Sequence, residues 1–182
     1  MIKLDTYQGL VIRLIKALNG NGIEYMFTGA LASSYYGKPR TTMDVDIILT
    51  VPETELDHLV SVLGEIDLVV SVQDFRKAQG SGYNVVSVED KLSPFSVDFI
   101  LLQGSLEKIA CTLFGEPTFL QTSESLVRAK LRMIKATIDP EKSAKDKADV
   151  RAIIMYSNMN LERVRYYAEI DGTLKIFNSL TK

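Results

Sequence analysis

The chain has 182 residues, 46% of them hydrophobic and 24% charged, with a net charge of −2. That length gives one domain, or one core with a small appendage, and the charge balance excludes a surface built to grip long nucleic acid non-specifically, though not a local basic pocket. The single cysteine, Cys111, excludes an internal disulfide and a multi-cysteine zinc site. No apolar run approaches the roughly 18 residues that span a membrane. The first residues lack the basic-then-apolar pattern of a secretory signal, so a reduced, cytoplasmic setting is expected.

Leu4, Tyr7, Val11, Leu14, Ile15 and Leu18 recur at helical spacing, and Asn19-Gly20-Asn21-Gly22 ends that helix. Ile23 to Thr28 reads as a short strand closed by Gly29, and Ala30 to Tyr36 as a helix broken by Gly37-Lys38-Pro39-Arg40. Val45 to Val51 is a β-branched strand. Pro52 opens a helix whose apolar face is Leu56, Leu59, Val60 and Leu63. Leu68 to Val72 reads as a strand, Gly80-Ser81-Gly82 as a turn, Tyr83 to Val88 and Phe95 to Leu102 as strands, and Leu106 to Leu113 as a short helix. A brief extended piece, Thr118 to Leu120, follows.

From there the pattern is helical. Ser123 reads as an N-cap, and Val127, Leu131, Ile134 and Ile138 line one face. Asp139-Pro140 opens a second helix, cap first and proline second, and Asn160 caps a third. The last residues read as frayed or loosely docked. The expected fold is α/β (α+β): a mixed sheet flanked by helices over residues 1–121, then a helical region over 122–182 that packs on it.

The chemistry concentrates in Thr41-Thr42-Met43-Asp44-Val45-Asp46-Ile47-Ile48-Leu49. In a strand, residues i and i+2 share a face, so Asp44 and Asp46 project side by side. Two carboxylates that close resist joint ionisation unless a cation relieves them. Hard divalent ions, Mg²⁺ or Mn²⁺, take such oxygens together with substrate phosphates. Asp98, in Ser96-Val97-Asp98-Phe99-Ile100, is a second strand-borne acid. If its strand lies beside the first, three carboxylates converge and could serve two metals about 3.5–4 Å apart. Upstream, Gly29 and Ala30 close a strand and open a helix, where free backbone N–H groups suit a phosphate, and Lys38 and Arg40 can meet its charge.

The order Gly29-Ala30-Leu31-Ala32, then Arg40-Thr41-Thr42-Met43-Asp44-Val45-Asp46, then Asp98, resembles the nucleotidyltransferase superfamily that includes DNA polymerase beta, kanamycin nucleotidyltransferase and CCA-adding enzymes. Within it, the likeness is closest to prokaryotic abortive-infection type nucleotidyltransferases of toxin–antitoxin operons. It continues through Arg128-Ala129-Lys130-Leu131 and Lys145-Asp146-Lys147-Ala148-Asp149-Val150. The resemblance implies that Asp44, Asp46 and Asp98 are catalytic metal ligands. It also implies that Gly29, Ala30, Arg40, Lys130, Lys145 and Asp146 border the nucleotide. Two departures stand out: Ala30 where relatives carry Ser or Gly, and Tyr36-Gly37 where they often place a polar residue before the glycine.

Each residue also has a plainer reading. Asp44 and Asp46 alone could be a solvated strand end, and Gly29 could only end a strand. Arg40 could pair with a nearby acid, and Lys130, Lys145 and Asp146 could face water on amphipathic helices. His58 falls outside every motif and reads as surface or packing, and Cys111 as a small core residue. Taken together, the blocks favour a metal-dependent enzyme that moves a nucleoside monophosphate from a triphosphate to a hydroxyl on RNA, protein or a small molecule. The resemblance adds a possible operon-encoded partner protein. The alternative is a non-catalytic nucleotide-sensing or partner-binding module on the same fold.

Overall fold

A computed structural model describes residues 5–182, so Leu4, placed in the first helical stripe above, lies outside the described residues. The chain divides into two compact units, one comprising the sequence up to Ala30 and Thr41–Leu120, the other Leu31–Arg40 and Gln121–Lys182.

The first unit is built on a six-stranded sheet. It contains α1 (Tyr7–Gly20), β1 (Glu24–Phe27), β2 (Asp44–Thr50), α3 (Leu56–Glu65), α4 (Val72–Ser81), β3 (Val85–Glu89), β4 (Ser96–Leu101), β5 (Lys108–Leu113) and β6 (Glu116–Gln121). The helix α2 (Gly29–Tyr36) begins here and ends in the second unit. The strand order is β3-β4-β2-β1-β6-β5. β2 runs parallel to β4 and β1 to β6, while β1–β2 and β3–β4 are antiparallel, so the sheet is mixed, as the sequence predicts.

Strand alternation separates the two faces. Val45, Ile47 and Leu49 of β2, Val97 and Phe99 of β4, and Val86 and Val88 of β3 are buried. Leu10, Leu14 and Leu18 of α1, Leu59 and Leu63 of α3 and Phe75 of α4 complete this core, with the Phe75 and Phe99 rings 6.2 Å apart. Arg13 ties α1 to the β3–β4 turn: it bonds Asp5, the Ile66 carbonyl and the fully buried Asp90 carboxylate, which also accepts from Ser93. No helix among the described residues is long and apolar enough to cross a membrane.

Several predicted elements change. The expected strand at Leu68 to Val72 reduces to a single bridge, Leu68 to Asp90, and Val72 opens α4. The reason is a capping box: Ser71 accepts from the Asp74 N–H while the Asp74 carboxylate takes the Ser71 N–H. The expected helix at Leu106 to Leu113 is β5, joined to β6 by Phe114 and Gly115 alone. Both have positive φ, 51° and 85°, the turn that suits a two-residue hairpin. The third strand begins at Val85, after Asn84 at φ 56°, and not at Tyr83, which is exposed.

The second unit holds α5 (Ser123–Ala136), α6 (Pro140–Tyr156), α7 (Leu161–Ile170) and α8 (Leu174–Leu180). Asp139 and Asn160 cap α6 and α7 as expected, but Thr122, not Ser123, caps α5. Ile138 falls beyond α5 and is 99% exposed, whereas Lys130 takes a place on the buried stripe. The final residues are docked, with Phe177 and Leu180 buried. The end of α2 belongs here: the Tyr36 hydroxyl donates to the Gln121 carbonyl at 2.8 Å. Gly37 lies so close to α6 that an added Cβ would meet Ala152 and the Ile153 nitrogen at 3.0–3.1 Å.

Arg128 donates two hydrogen bonds to Asp171, at 2.7 and 3.0 Å, and this holds the Asp171 carboxyl below its ordinary range. A lowered carboxylate pKa stabilises the fold above the unfolded value and ceases to do so as pH falls through the folded one. Asp171→Asn should therefore unfold at lower temperature than the parent at pH 6, and the gap should close as melts are repeated below about pH 4. A gap independent of pH would mean that the charge is not what the pair contributes.

Candidate active site

The acid-bearing face of the sheet is opposite the core. In the parallel ladder between β2 and β4, Asp44 stands against Ser96 and Asp46 against Asp98. In the antiparallel ladder, Ser87 of β3 stands against Asp98. Residues paired across a ladder share a face, and so do residues two apart along a strand. Asp44, Asp46 and Asp98 therefore project from one face of three neighbouring strands, together with Ser87 and Ser96.

Hydroxyls occupy two of these carboxylates. The Ser96 Oγ donates to Asp44 Oδ1 at 2.7 Å, and the Ser87 Oγ donates to Asp98 Oδ1 at 2.6 Å. The Tyr7 hydroxyl approaches the Asp44 carbonyl at 3.5 Å. With Asp44 and Asp98 directed at serines, no group of three or more His, Cys, Asp or Glu side chains among the described residues is gathered tightly enough to hold a metal ion. The donor chemistry nonetheless suits a hard cation. The side chains are carboxylates, and Mg²⁺ commonly takes one or two of these and completes its shell with water and phosphate oxygens.

Gly29 abuts the central acid. Its φ is +57°, and a Cβ built there would fall 1.9 Å from Asp46 Oδ2 and 2.9 Å from Asp46 Cβ. Glycine is required on both counts, conformation and space. The preceding Thr28 N–H donates to the Asp46 carbonyl at 3.0 Å. The β1–α2 turn is thus pinned against β2 at the position of Asp46, and α2 opens from it with Ala30 buried in its first turn.

The remaining predicted nucleotide contacts lie in the helical unit. Lys130 is 7% exposed and its ammonium sits 2.9 Å from both Asp146 Oδ1 and Asp149 Oδ2. Arg40 reaches the same Asp149 through Nε and Nη2 at 3.2–3.3 Å. Two cations and two carboxylates form one compensated network across the 31–40 segment, α5 and α6. Lys145 stands apart, exposed on α6. Lys38 lies 5.9 Å from the Tyr156 ring centre. His58 is exposed, and Cys111 is half-buried instead of in the core, with burial pushing its thiol pKa up.

The sequence pattern assigns no role to Ser87 or Ser96, and it carries Asp149 only as a member of the Lys145–Val150 block. Ser96 carried a signal, the alternation Ser96-Val97-Asp98. Asp149 carried another, its spacing of three from Asp146 on a helix, which places both on one side. Ser87 carried none, because its position opposite Asp98 depends on the β3–β4 register.

The network makes a prediction about Lys130. Lys130→Met leaves two buried carboxylates with Arg40 as their cation, and loss of one member of a buried ion pair typically costs about 3–5 kcal/mol. Urea unfolding should register a loss of that order. An unchanged midpoint would show that the lysine is free for another task.

Compared by sequence, the chain matches no family model and no curated protein. Compared by structure, it is similar to the antibiotic-resistance factor ANT(2″)-Ia in complex with adenylyl-2″-tobramycin, with TM-score 0.65 and 11% identity over 93% of this chain and 98% of that one. It is similar to an antigenic nucleotidyltransferase-like protein from Paracoccidioides brasiliensis, with TM-score 0.59 and 14% identity over 95% and 90%. It is also similar to the lincosamide antibiotic adenylyltransferase LnuA in its lincomycin-bound form, with TM-score 0.54 and 10% identity over 83% and 99%. The mixed sheet and its flanking helices thus have the fold of the nucleotidyltransferases.

Proposed function

We propose that the protein transfers a nucleotidyl group from a nucleoside triphosphate to an acceptor hydroxyl. The observation that carries this reading is the placement of Asp46 opposite Asp98, with Asp44 two residues away on the same face and Gly29 against Asp46. A structural role alone does not call for three acids on one face of adjacent strands, where like charges destabilise.

Asp44 and Asp46 would hold a divalent cation, Mg²⁺ or Mn²⁺, with Asp98 available as a further ligand or as base. Bound there, the cation would neutralise phosphate charge and polarise the phosphoryl group. Gly29 and Ala30 would present backbone N–H groups to the phosphate tail, a role that Ala30 can fill in place of serine because it uses no side chain. Asp98 would activate the acceptor hydroxyl, as ligand of a second cation or as base; that oxygen bonds to the α-phosphorus as the bond from the α-phosphorus to the pyrophosphate oxygen breaks, and the hydroxyl proton passes to Asp98 or to water. In the helical unit, Lys130, Arg40 and Asp146 belong to the compensated network, and Lys145 is exposed on α6.

The motif likeness to abortive-infection type proteins supports a partner encoded nearby, and the lone cysteine supports a reduced, cytoplasmic setting. The structural likeness to antibiotic adenylyltransferases supports a small-molecule acceptor, with RNA and protein hydroxyls as the other classes. A non-catalytic nucleotide-sensing or partner-binding module on the same fold is the competing reading, favoured by Ala30 where the resemblance expects serine or glycine.

The test is incubation with each α-labelled nucleotide and Mg²⁺ in the presence of total tRNA, total protein, or tobramycin and lincomycin as small-molecule acceptors. The parent should label one pool and release pyrophosphate. Asp98→Asn should lower the rate by about 10²–10⁴-fold, the usual worth of a general base. Asp44→Ala should abolish transfer. Equal labelling by the Asp98→Asn protein would remove Asp98 from the chemistry, and binding with no labelled pool would favour the non-catalytic module.

A further inference from the structure

The acid on β4 does not stand alone. Its side-chain partner is Ser87, whose hydroxyl donates to Asp98 Oδ1 at 2.6 Å, a charge-assisted length. Ser87 lies on the exposed side of β3, the edge strand, directly across the ladder from Asp98. We infer that Ser87 is a positioning residue for Asp98, and this rests on the functional reading above.

An aspartate carboxylate turns readily about its terminal torsion, which has no sharp staggered wells. A donor fixed on a paired strand holds one oxygen and so sets the direction of the other. Two features make Ser87 suited to that task. The register Ser87↔Asp98 is locked on the opposite face by Val86 and Val88, both buried, so the hydroxyl cannot slip along the strand without exposing the core. And the hydroxyl spends its single proton on Asp98, leaving Oδ2 as the oxygen open to an acceptor or a cation. Ser96 makes the equivalent bond to Asp44 from β4, so each outer acid has its own hydroxyl on the adjacent strand.

The separation of roles is specific. Ser87 touches Asp98, whereas Asp44 and Asp46 belong to β2 and receive nothing from it. Loss of Ser87 should weaken what depends on Asp98 and leave what depends on Asp44 and Asp46.

The experiment is a Mn²⁺ titration followed by electron paramagnetic resonance, with the α,β-methylene analogue of ATP, CTP, GTP or UTP that matches the nucleotide used by the parent, on the parent, Ser87→Ala and Ser87→Thr. Transfer kinetics on the labelled pool run alongside. The parent should take up two ions of unequal affinity. Ser87→Ala should weaken the weaker ion about tenfold, leave the tighter ion unchanged, and lower kcat with KM for the nucleotide unaltered. Ser87→Thr, which keeps the hydroxyl and suits a strand, should restore both. Parent-like uptake and kcat by Ser87→Ala overturns the inference, as does equal weakening of both ions or a failure of threonine to rescue. A parent that takes up no Mn²⁺ with the nucleotide overturns the functional reading, and this inference falls with it.

Discussion

Asp46 and Asp98 face each other across a parallel ladder whose strands run about 4.8 Å apart. Like charges so placed repel, and nothing in the pairing of backbone groups opposes that repulsion. What opposes it is the other side of the sheet. Val45, Ile47, Val97 and Phe99 alternate with the acids and are fully buried, so a slip of one residue would drive carboxylates into the core. Hydrophobic packing on one face thus enforces charge proximity on the other. Ser87 and Ser96 ease the strain by donating to the outer acids, and a bound cation would ease it further.

The same economy appears in the helical unit with a different solution. Lys130 is buried among α5 and α6, where an uncompensated ammonium would be costly. Asp146 and Asp149 flank it at 2.9 Å, and Arg40 completes the balance from the segment between Gly29 and Asp44. That segment, with Gly37 packed against Ala152, is bound into the helices by contacts that its sequence position between two strands does not suggest. Arg40 of this segment serves the helical unit through Asp149.

Legibility in the sequence tracked how local each determinant is. The β2 and β4 strands, the α6 cap at Asp139-Pro140 and the mixed character of the sheet follow from alternation, proline placement and β-branched content. The α4 helix was missed because its start depends on a capping box with aspartate, not glutamate, at the third position. The hairpin at Phe114-Gly115 was missed because a phenylalanine in the left-handed region is an unusual turn residue, and the run before it reads equally as helix. In the candidate site, Asp44, Asp46, Asp98 and Gly29 were legible as a set. The steric reason for Gly29 was not, because it lies in the approach of Asp46 from another strand. Nor were the serine partners, whose roles exist only once the register is known.

In the proposed function the carboxylate face and a cation together hold a nucleotide. Calorimetric titration of ATP, CTP, GTP and UTP, each with and without Mg²⁺, distinguishes this on the parent and on an Asp44→Asn/Asp46→Asn protein. At least one nucleotide should bind the parent only with Mg²⁺ and fail to bind the double variant under either condition. Nucleotide binding of equal strength without Mg²⁺, or undiminished in the double variant, would contradict it.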